Sequence, residues 1–351
     1  MAADMIDILV LPGDGIGPEI TAATLAVLRA AAGERLAFTE MAIGEASLAA
    51  EGSTLPDAVM TAIPRADGVV LGPVSHYSYP AGQPNPSAAL RTGFNLYANV
   101  RPCRSRPGLS LLRDPMDLVI VRENTEGFYA DRSMYMGSGE FMPDPDSAFS
   151  IRKITAPAVR RVARSACEIA MTRRKRLTAV HKANVLKLTD GLFLREVRAV
   201  AADYPEIELD EVIVDAAAAL LIRDPGRFDV MVTTNMFGDI LSDEASELSG
   251  SLGLGGSINA GDDICVAQAQ HGSAPDIAGQ GIANPTSLIL SAAMLLDWLG
   301  RRRADAALRE AAARIEAAVE AILGDPAQRT RDVGGPLGTT DFAAAVVGEL
   351  A

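Results

Sequence analysis

The sequence predicts an α/β protein built on a largely parallel sheet with helices on both faces. Three observations carry this reading. Short apolar runs recur along the chain, each ends in a polar or glycine-containing loop, and each is followed by sequence of helical period. A chain of 351 residues with 48% hydrophobic content has room for two domains with sizeable cores.

The elements follow in order. Ile6 to Leu11 reads as a buried strand that stops at Pro12-Gly13, and Pro18 to Ala32 as a helix with proline in its first turn. Gly68 to Leu71 and Leu118 to Arg122 are further strands ending in polar loops. Thr155 to Met171 is a helix with Thr155 as N-cap. Leu177 to His181, Glu211 to Asp215 and Asp229 to Thr233 read as strands, each followed by helical sequence. Pro285 to Leu299 and Ala304 to Leu323 are two late helices rich in Ala and Leu. The segment Asp131 to Ser150, rich in Gly, Pro, Ser and Met, breaks the pattern as a long loop or an extended arm.

Composition excludes several functions. With 32 Lys+Arg against 45 Asp+Glu the net charge is −13, which argues against nucleic acid or an anionic membrane as partner. Cys103, Cys167 and Cys265 form no CxxC pair, so neither a zinc cage nor a disulfide framework is expected, and a reducing cytoplasm fits. The N-terminal MAADMIDILV lacks the basic region of a signal peptide. No apolar run reaches the ~18–20 residues of a membrane span.

Five constellations could carry chemistry. Gly13-Asp14-Gly15-Ile16-Gly17-Pro18 lies between the first strand and helix, but it is not GxGxxG and reads as a tight turn, not a standard Rossmann fingerprint. Asp239 and Asp243 are i and i+4, so on a helix they share a face and repel. A divalent cation reverses that sign, and Mg²⁺ takes one or two carboxylates. The alternative is a solvated acidic face. Phe237, Ile240 and Leu241 around them, and a strand end before them, favour the metal. Asp215, closing the run Val212-Ile213-Val214, is a third acid at the same edge. Arg91, Arg101 and Arg122 lie on or beside apolar segments. If they converge they clamp an anion bidentately; singly each is a surface ion-pair partner.

Lys182, after strand 177–181, is a proton acceptor if its neighbours lower its pKa, or simply a solvated lysine. Tyr129 is either a proton donor or a core residue. His271-Gly272-Ser273-Ala274-Pro275-Asp276, continuing to Asn284-Pro285, is a loop of small residues that lets backbone approach a ligand. An aspartate there can accept from a ribose 2′-hydroxyl and repels a 2′-phosphate, which favours NAD over NADP.

Together these segments are specific. GDGIGPE (13–19), LRxxxxLYANVRP (90–102), RENTEGFY (122–129), HKANVL (181–186), VDA (214–216), NMFGDILSDEAS (235–246) and HGSAPDIAGQGIANPT (271–286) occur in one order. The chain resembles the isocitrate/isopropylmalate dehydrogenase family, the metal-dependent β-decarboxylating dehydrogenases, over nearly its full length, and most closely the NAD-isocitrate/homoisocitrate branch. The resemblance implies a homodimer of two-domain isopropylmalate dehydrogenase-like subunits. A large domain (1–97 and 254–351) would carry the NAD loops. A small domain (98–253) would supply metal ligands, the dimer interface and a clasp arm at 131–150, with the active site in the cleft.

It further implies that Arg91, Arg101 and Arg122 hold the malate carboxylates, and that Asp239 and Asp243 bind Mg²⁺ or Mn²⁺ with Asp215 of the partner subunit. Lys182 and Asp215 would remove the C2 hydroxyl proton, and Tyr129 would act in the later protonation. His271, Gly272, Ser273, Ala274, Asp276 and Asn284 would line the adenosine side of the NAD site. The resemblance also places the C3 substituent of the malate near the residues before Arg91. Isopropylmalate enzymes carry leucines there; this chain has Asn85 and Ser87, six and four positions before Arg91, which resembles isocitrate dehydrogenases. The expected substrate is isocitrate or homoisocitrate, with 3-isopropylmalate, tartrate and D-malate as alternatives. One departure stands out: Gln268 occupies the place of a glutamate that the family usually carries near the nicotinamide.

Two rivals belong to other classes. A non-catalytic regulatory subunit should have lost part of the acid, lysine or tyrosine set, which is complete here. A nucleic-acid module has only Arg173-Arg174-Lys175-Arg176 in its favour, and a basic run after a helix is expected to cap the helix dipole.

Overall fold

The computed structural model describes residues 5–111, 115–129 and 134–350. The signal-peptide and arm expectations touch residues 1–4 and 131–133, which lie outside the described residues. The chain runs β1 (Ile6–Leu11), α1 (Gly17–Ala32), β2 (Leu36–Glu40), α2 (Gly44–Glu51), α3 (Asp57–Ala62), β3 (Gly68–Leu71), α4 (Pro86–Gly93), β4 (Ala98–Arg104) and β5 (Asp117–Glu123). There follow β6 (Glu140–Asp144), β7 (Ser147–Ser150), α5 (Ala156–Met171), β8 (Arg176–His181), α6 (Thr189–Ala201), β9 (Glu208–Ile213), α7 (Val214–Arg223), β10 (Val230–Thr233) and α8 (Asn235–Ser249). Last come β11 (Ile258–Ala260), β12 (Cys265–Gln268), α9 (Thr286–Arg302), α10 (Ala306–Gly324) and α11 (Thr339–Leu350).

Two compact units result. The first holds the chain up to Leu90, Ser251–Ile258 and the chain from Asp262 onward. Its strands lie in the order β2-β1-β3-β12, with β1 parallel to β2 and β3, and β12 parallel to β3. β1 and β3 are almost wholly apolar because both faces are covered, as parallel strands require. Helices α1, α9, α10 and α11 pack on one another, and α9 lies against β12.

The second unit holds Arg91–Gly250 and Asn259–Gly261. Its strands lie in the order β11-β4-β5-β10-β8-β9. β5, β10, β8 and β9 are parallel, while β4 runs antiparallel to β5. Alternation along the strands divides their side chains between two faces. Leu118, Ile120, Met231 and Val180 pack on Ala217 and Leu221 of α7 and Leu241 and Ala245 of α8. Helix α5 packs on β5, β8 and β10, and on α6. β6 and β7 form a separate antiparallel hairpin whose Phe141 and Phe149 rings stack at 5.2 Å while remaining about half exposed.

Thr155 caps α5 as expected, its hydroxyl accepting from Ala158 N. Two expectations need correction. Asp215 does not close a strand: β9 ends at Ile213 and Asp215 stands in the first turn of α7. The alanine run that follows favours helix and overrides the β-branched residues before it. The basic run after α5 is engaged by ion pairs and is no mere dipole cap. Arg173 and Arg174 meet the fully buried Asp229, Arg173 also Asp117, Lys175 Glu206 and Arg176 Glu208. All three cysteines are buried and free, and burial pushes the Cys103 thiol up to about 11. Among the described residues no helix is long and apolar enough to cross a membrane.

Candidate active site

In the second unit, arginines from two neighbouring strands reach the acids of one helix. Arg101 comes from β4 and Arg122 from β5, and both are buried, at 6% and 2% exposure. Arg122 donates through Nε and Nη2 to Asn235 Oδ1 at 3.1 and 2.7 Å and pairs through Nη1 with Asp239. Arg101 Nη1 donates to Asp243 Oδ1 at 2.9 Å and Ser242 Oγ at 2.8 Å, and its Nη2 lies 3.7 Å from Asp239 Oδ1. Asp239 and Asp243 share a face of α8, one turn apart. Burial, with the Asp239 charge beside it, holds the Asp243 carboxyl above its ordinary range against the opposing pull of Arg101. Tyr129 points its hydroxyl at Asp239 Oδ2, 3.5 Å away. Arg91 lies in the last turn of α4.

Lys182 and Asp215 form a second cluster in this unit. Lys182 Nζ donates to Asp215 Oδ1 at 2.5 Å, which keeps the Asp215 carboxyl below its usual range. The Lys182 backbone is fixed by the fully buried Asp190, which accepts from its N–H at 2.5 Å. Arg152 also pairs with Asp190, and its guanidinium lies over the rings of Phe128 and Phe237. Among the described residues no three of His, Cys, Asp or Glu gather at one point, so Asp215 is not brought to Asp239 and Asp243 within the chain.

In the first unit the glycine motif anchors a loop. Asp14, buried, accepts from Glu45 N at 2.7 Å, Ser75 N at 2.8 Å and the Tyr79 hydroxyl. Ile16 N donates to Ser273 O at 2.8 Å, and Ser75 Oγ donates to Ser273 Oγ at 2.8 Å. A Cβ on Gly15 would stand 2.0 Å from Ser273 O, so only glycine admits this approach. Beyond Ser273, Ala274 adopts a positive φ of 37° and Asp276 is exposed. Asn284 has a structural part: its Oδ1 accepts from Thr286 N and its Nδ2 donates to Asp332 Oδ2, both at 3.0 Å.

Asn85 and Ser87 differ in what they meet. Asn85 Oδ1 accepts from Ala88 N at 3.2 Å at the start of α4. Ser87 Oγ donates to Gln268 Oε1 at 3.1 Å, with both residues buried.

The donor sets fit the expected groups. Asp239 and Asp243 offer hard carboxylate oxygens on one helix face, suited to Mg²⁺ or Mn²⁺, with Arg101 and Arg122 as their present counter-ions. His271 Nδ1 lies 3.0 Å from Gly272 O, which holds the ring hydrogen there, while its buried Nε2 has no hydrogen-bond partner, an orphan acceptor that the amino group of a nucleoside base would satisfy. Sequence reasoning missed Asn235, Ser242, Asp14, Asp190 and the Ser87–Gln268 contact. Asn235 and Ser242 lie inside the motif that carries Asp239, so they were within its reach.

A family model described as isocitrate/isopropylmalate dehydrogenase matches residues 7–346. The isocitrate/homoisocitrate dehydrogenase of Thermus thermophilus is 44% identical over 346 residues, covering 98% of both chains. The 3-isopropylmalate dehydrogenase of Archaeoglobus fulgidus is 41% identical, covering 97% of this chain and 98% of that one. The crystal structure of isocitrate dehydrogenase from Methylococcus capsulatus superposes with a TM-score of 0.88 at 41% identity, covering 99% of each chain.

Proposed function

Since the chain belongs to the isocitrate/isopropylmalate dehydrogenase family of decarboxylating dehydrogenases, we propose that it oxidises and decarboxylates a 3-substituted (R)-malate, isocitrate or homoisocitrate, with NAD⁺ and Mg²⁺ or Mn²⁺. The observation that carries this is the meeting of two buried guanidiniums, Arg101 and Arg122, with two carboxylates on one face of α8. A dicarboxylate has its cationic clamp there and a divalent metal its anionic seat.

Arg91, Arg101 and Arg122 bind and orient the malate carboxylates, with fork geometry fixing the plane. Asp239 and Asp243 hold the metal, which when bound makes the C2 hydroxyl more acidic and neutralises negative charge as CO₂ departs. Lys182, as the neutral amine once Nζ has passed a proton to Asp215 Oδ1 2.5 Å away, takes the proton from the C2 hydroxyl, and the Asp215 carboxyl keeps the amine in place. Tyr129, beside Asp239, delivers the proton to C3 after CO₂ is lost. His271 and the backbone of Gly272–Ala274 seat the adenosine. Asp276 accepts from its ribose 2′-hydroxyl and repels a 2′-phosphate.

The separation of Lys182–Asp215 from the α8 acids supports a homodimer in which each copy lends this pair to the other. The half-exposed Phe141–Phe149 hairpin would then be the clasp between copies. A second substrate, 3-isopropylmalate, is favoured by the Archaeoglobus fulgidus relative.

The test is a steady-state panel of isocitrate, homoisocitrate, 3-isopropylmalate, tartrate and D-malate with Mn²⁺ and each nicotinamide cofactor. Activity on isocitrate or homoisocitrate with NAD⁺ is expected. Turnover confined to 3-isopropylmalate would sink the substrate reading, and a preference for NADP⁺ would sink the role of Asp276.

A further inference from the structure

We propose that Arg152 is a positioning residue for the reaction: through the buried Asp190 it sets the peptide from which the Lys182 side chain departs. The inference rests on the reading of Lys182 as the proton acceptor. Arg152 stands between β7 and α5, and the backbone beside it is held where Lys153 and Gly127 exchange N–H···O bonds of 2.9 Å. Its side chain is only 7% exposed, so its charge is almost wholly withdrawn from water. Nη1 donates to Thr189 Oγ1 at 2.7 Å and pairs with Asp190 Oδ1, while Nη2 donates to Thr234 Oγ1 at 3.0 Å. The guanidinium also lies 5.6 Å from the centre of the Phe128 ring and 5.2 Å from that of Phe237, whose faces favour a cation.

Asp190 is where this cation acts. It is wholly buried in the first turn of α6. One carboxylate oxygen faces Arg152, and the other accepts from the Lys182 N–H at 2.5 Å. A carboxylate is planar, so fixing one oxygen fixes where the other stands. The Lys182 carbonyl is held as well, accepting from Val185 N at 3.0 Å and Leu186 N at 2.8 Å. The main chain of Lys182 is thus clamped at both polar groups, and only side-chain torsions separate it from Nζ. Removing Arg152 takes the counter-ion from a buried carboxylate, a strongly unfavourable state. The carboxylate would turn to another donor, and the Lys182 peptide would turn with it. A misplacement of about 1 Å at a reacting group costs about 10²-fold in rate. The bond to Thr234 offers a rival route, from Arg152 to the N-cap of α8 and so to its acids. Helix α8 has its own tie to the sheet, however, in Arg122 on Asn235 and Asp239.

The experiment uses the full-length protein with Mn²⁺ and NAD⁺, on isocitrate or whichever malate of the panel above turns over fastest. In R152M kcat should fall about 10²-fold while KM stays within about threefold, since the arginines that grip the malate are untouched. R152K keeps a charge for Asp190 without the fork and should lose about tenfold, the scale of one hydrogen bond. Mixing then identifies which machinery Arg152 serves. R152M and D239N, refolded together in equal amounts, should recover about a quarter of wild-type activity, as K182M with D239N should, because each hybrid dimer joins one intact lysine to one intact set of acids. A kcat in R152M within about threefold of wild type overturns the inference. So does failure of the R152M mixture where the K182M mixture recovers, which would assign Arg152 to α8 or to folding alone. If the K182M mixture also fails, lysine and acids share one chain and the kinetic split decides: a rise in KM as large as the fall in kcat overturns the inference. Should R152M not fold, R152K carries the same mixing test, and a wild-type kcat there overturns it. Failure of the proton-acceptor reading itself shows separately, as near-normal turnover in K182M.

Discussion

A Cβ placed on Gly238 would stand 2.6 Å from Cβ of Arg122. Helix α8 and strand β5 thus touch where the Arg122 side chain leaves the strand for Asn235 and Asp239. Gly238→Ala should push the two apart, at a cost of about 1–3 kcal/mol for overpacking. Urea denaturation should show the loss of stability, and substrate KM should rise because Arg122 is displaced. A variant with unaltered stability and KM would contradict the role given to this contact.

Arg122→Lys keeps the charge but loses the fork that grips Asn235 at 3.1 and 2.7 Å. Losing hydrogen bonds made by a charged group costs about 1.5–3 kcal/mol, so kcat/KM should fall about 10- to 150-fold. Steady-state kinetics on the best substrate of the panel checks this.

Lys182→Met should abolish turnover while the affinity for NAD⁺, measured by fluorescence titration, stays within about twofold of wild type. Asp239→Asn should also be inactive. If each copy lends Lys182 to its partner, equal mixtures of the two variants refolded together should recover about a quarter of wild-type activity. Half the dimers are hybrid and each hybrid holds one intact site. No recovery would place the lysine and the acids of one site on a single chain.

Glu126 lies buried with its carboxylate accepting from Thr155 N at 2.7 Å and Thr155 Oγ1 at 2.9 Å, and burial raises its pKa to about 7. Its folded pKa exceeds the unfolded value, so the folded state binds the extra proton. The contribution to stability is full below about pH 4.5 and is lost as pH rises through about 7. Melting temperatures between pH 5 and 8 should fall less steeply in Glu126→Gln. Identical slopes would mean that Glu126 titrates normally.

Asp229→Asn should destabilise the protein by about 1–3 kcal/mol, because it removes the buried carboxylate that Arg173 and the backbone N–H of Arg174 share. Chemical denaturation reads this directly.

How legible these features were follows from the kind of signal each leaves. Ile6–Leu11 and Gly68–Leu71 were plain because a strand covered on both faces is a nearly continuous apolar run, broken here only by the exposed Asp7. β4 was not read as a strand, because Arg101 and Pro102 interrupt its apolar residues. Its identity lies in seven paired positions with β5, a non-local property. Asp215 was placed on a strand because Val212-Ile213-Val214 has β character, which the helix beginning at Val214 overrides. The acid face of α8 was legible from i,i+4 spacing alone. That Arg101 and Arg122 converge on it was not, since the ion pairs join residues over a hundred positions apart. Nor could any spacing join Ser87 to Gln268, which are 181 positions apart.

The Asp14–Gly15 turn has a consequence for engineering. One buried carboxylate fastens the segments at Glu45, Ser75 and Tyr79, and the neighbouring glycine lets Ser273 rest on the turn. A 271–286 loop transplanted from a homologue to alter coenzyme preference would inherit its contacts with that turn. Grafts should therefore carry residues 13–17 and 72–79 with the loop, because a donor loop that does not seat on Gly15 would bring its recognition residues to the wrong place.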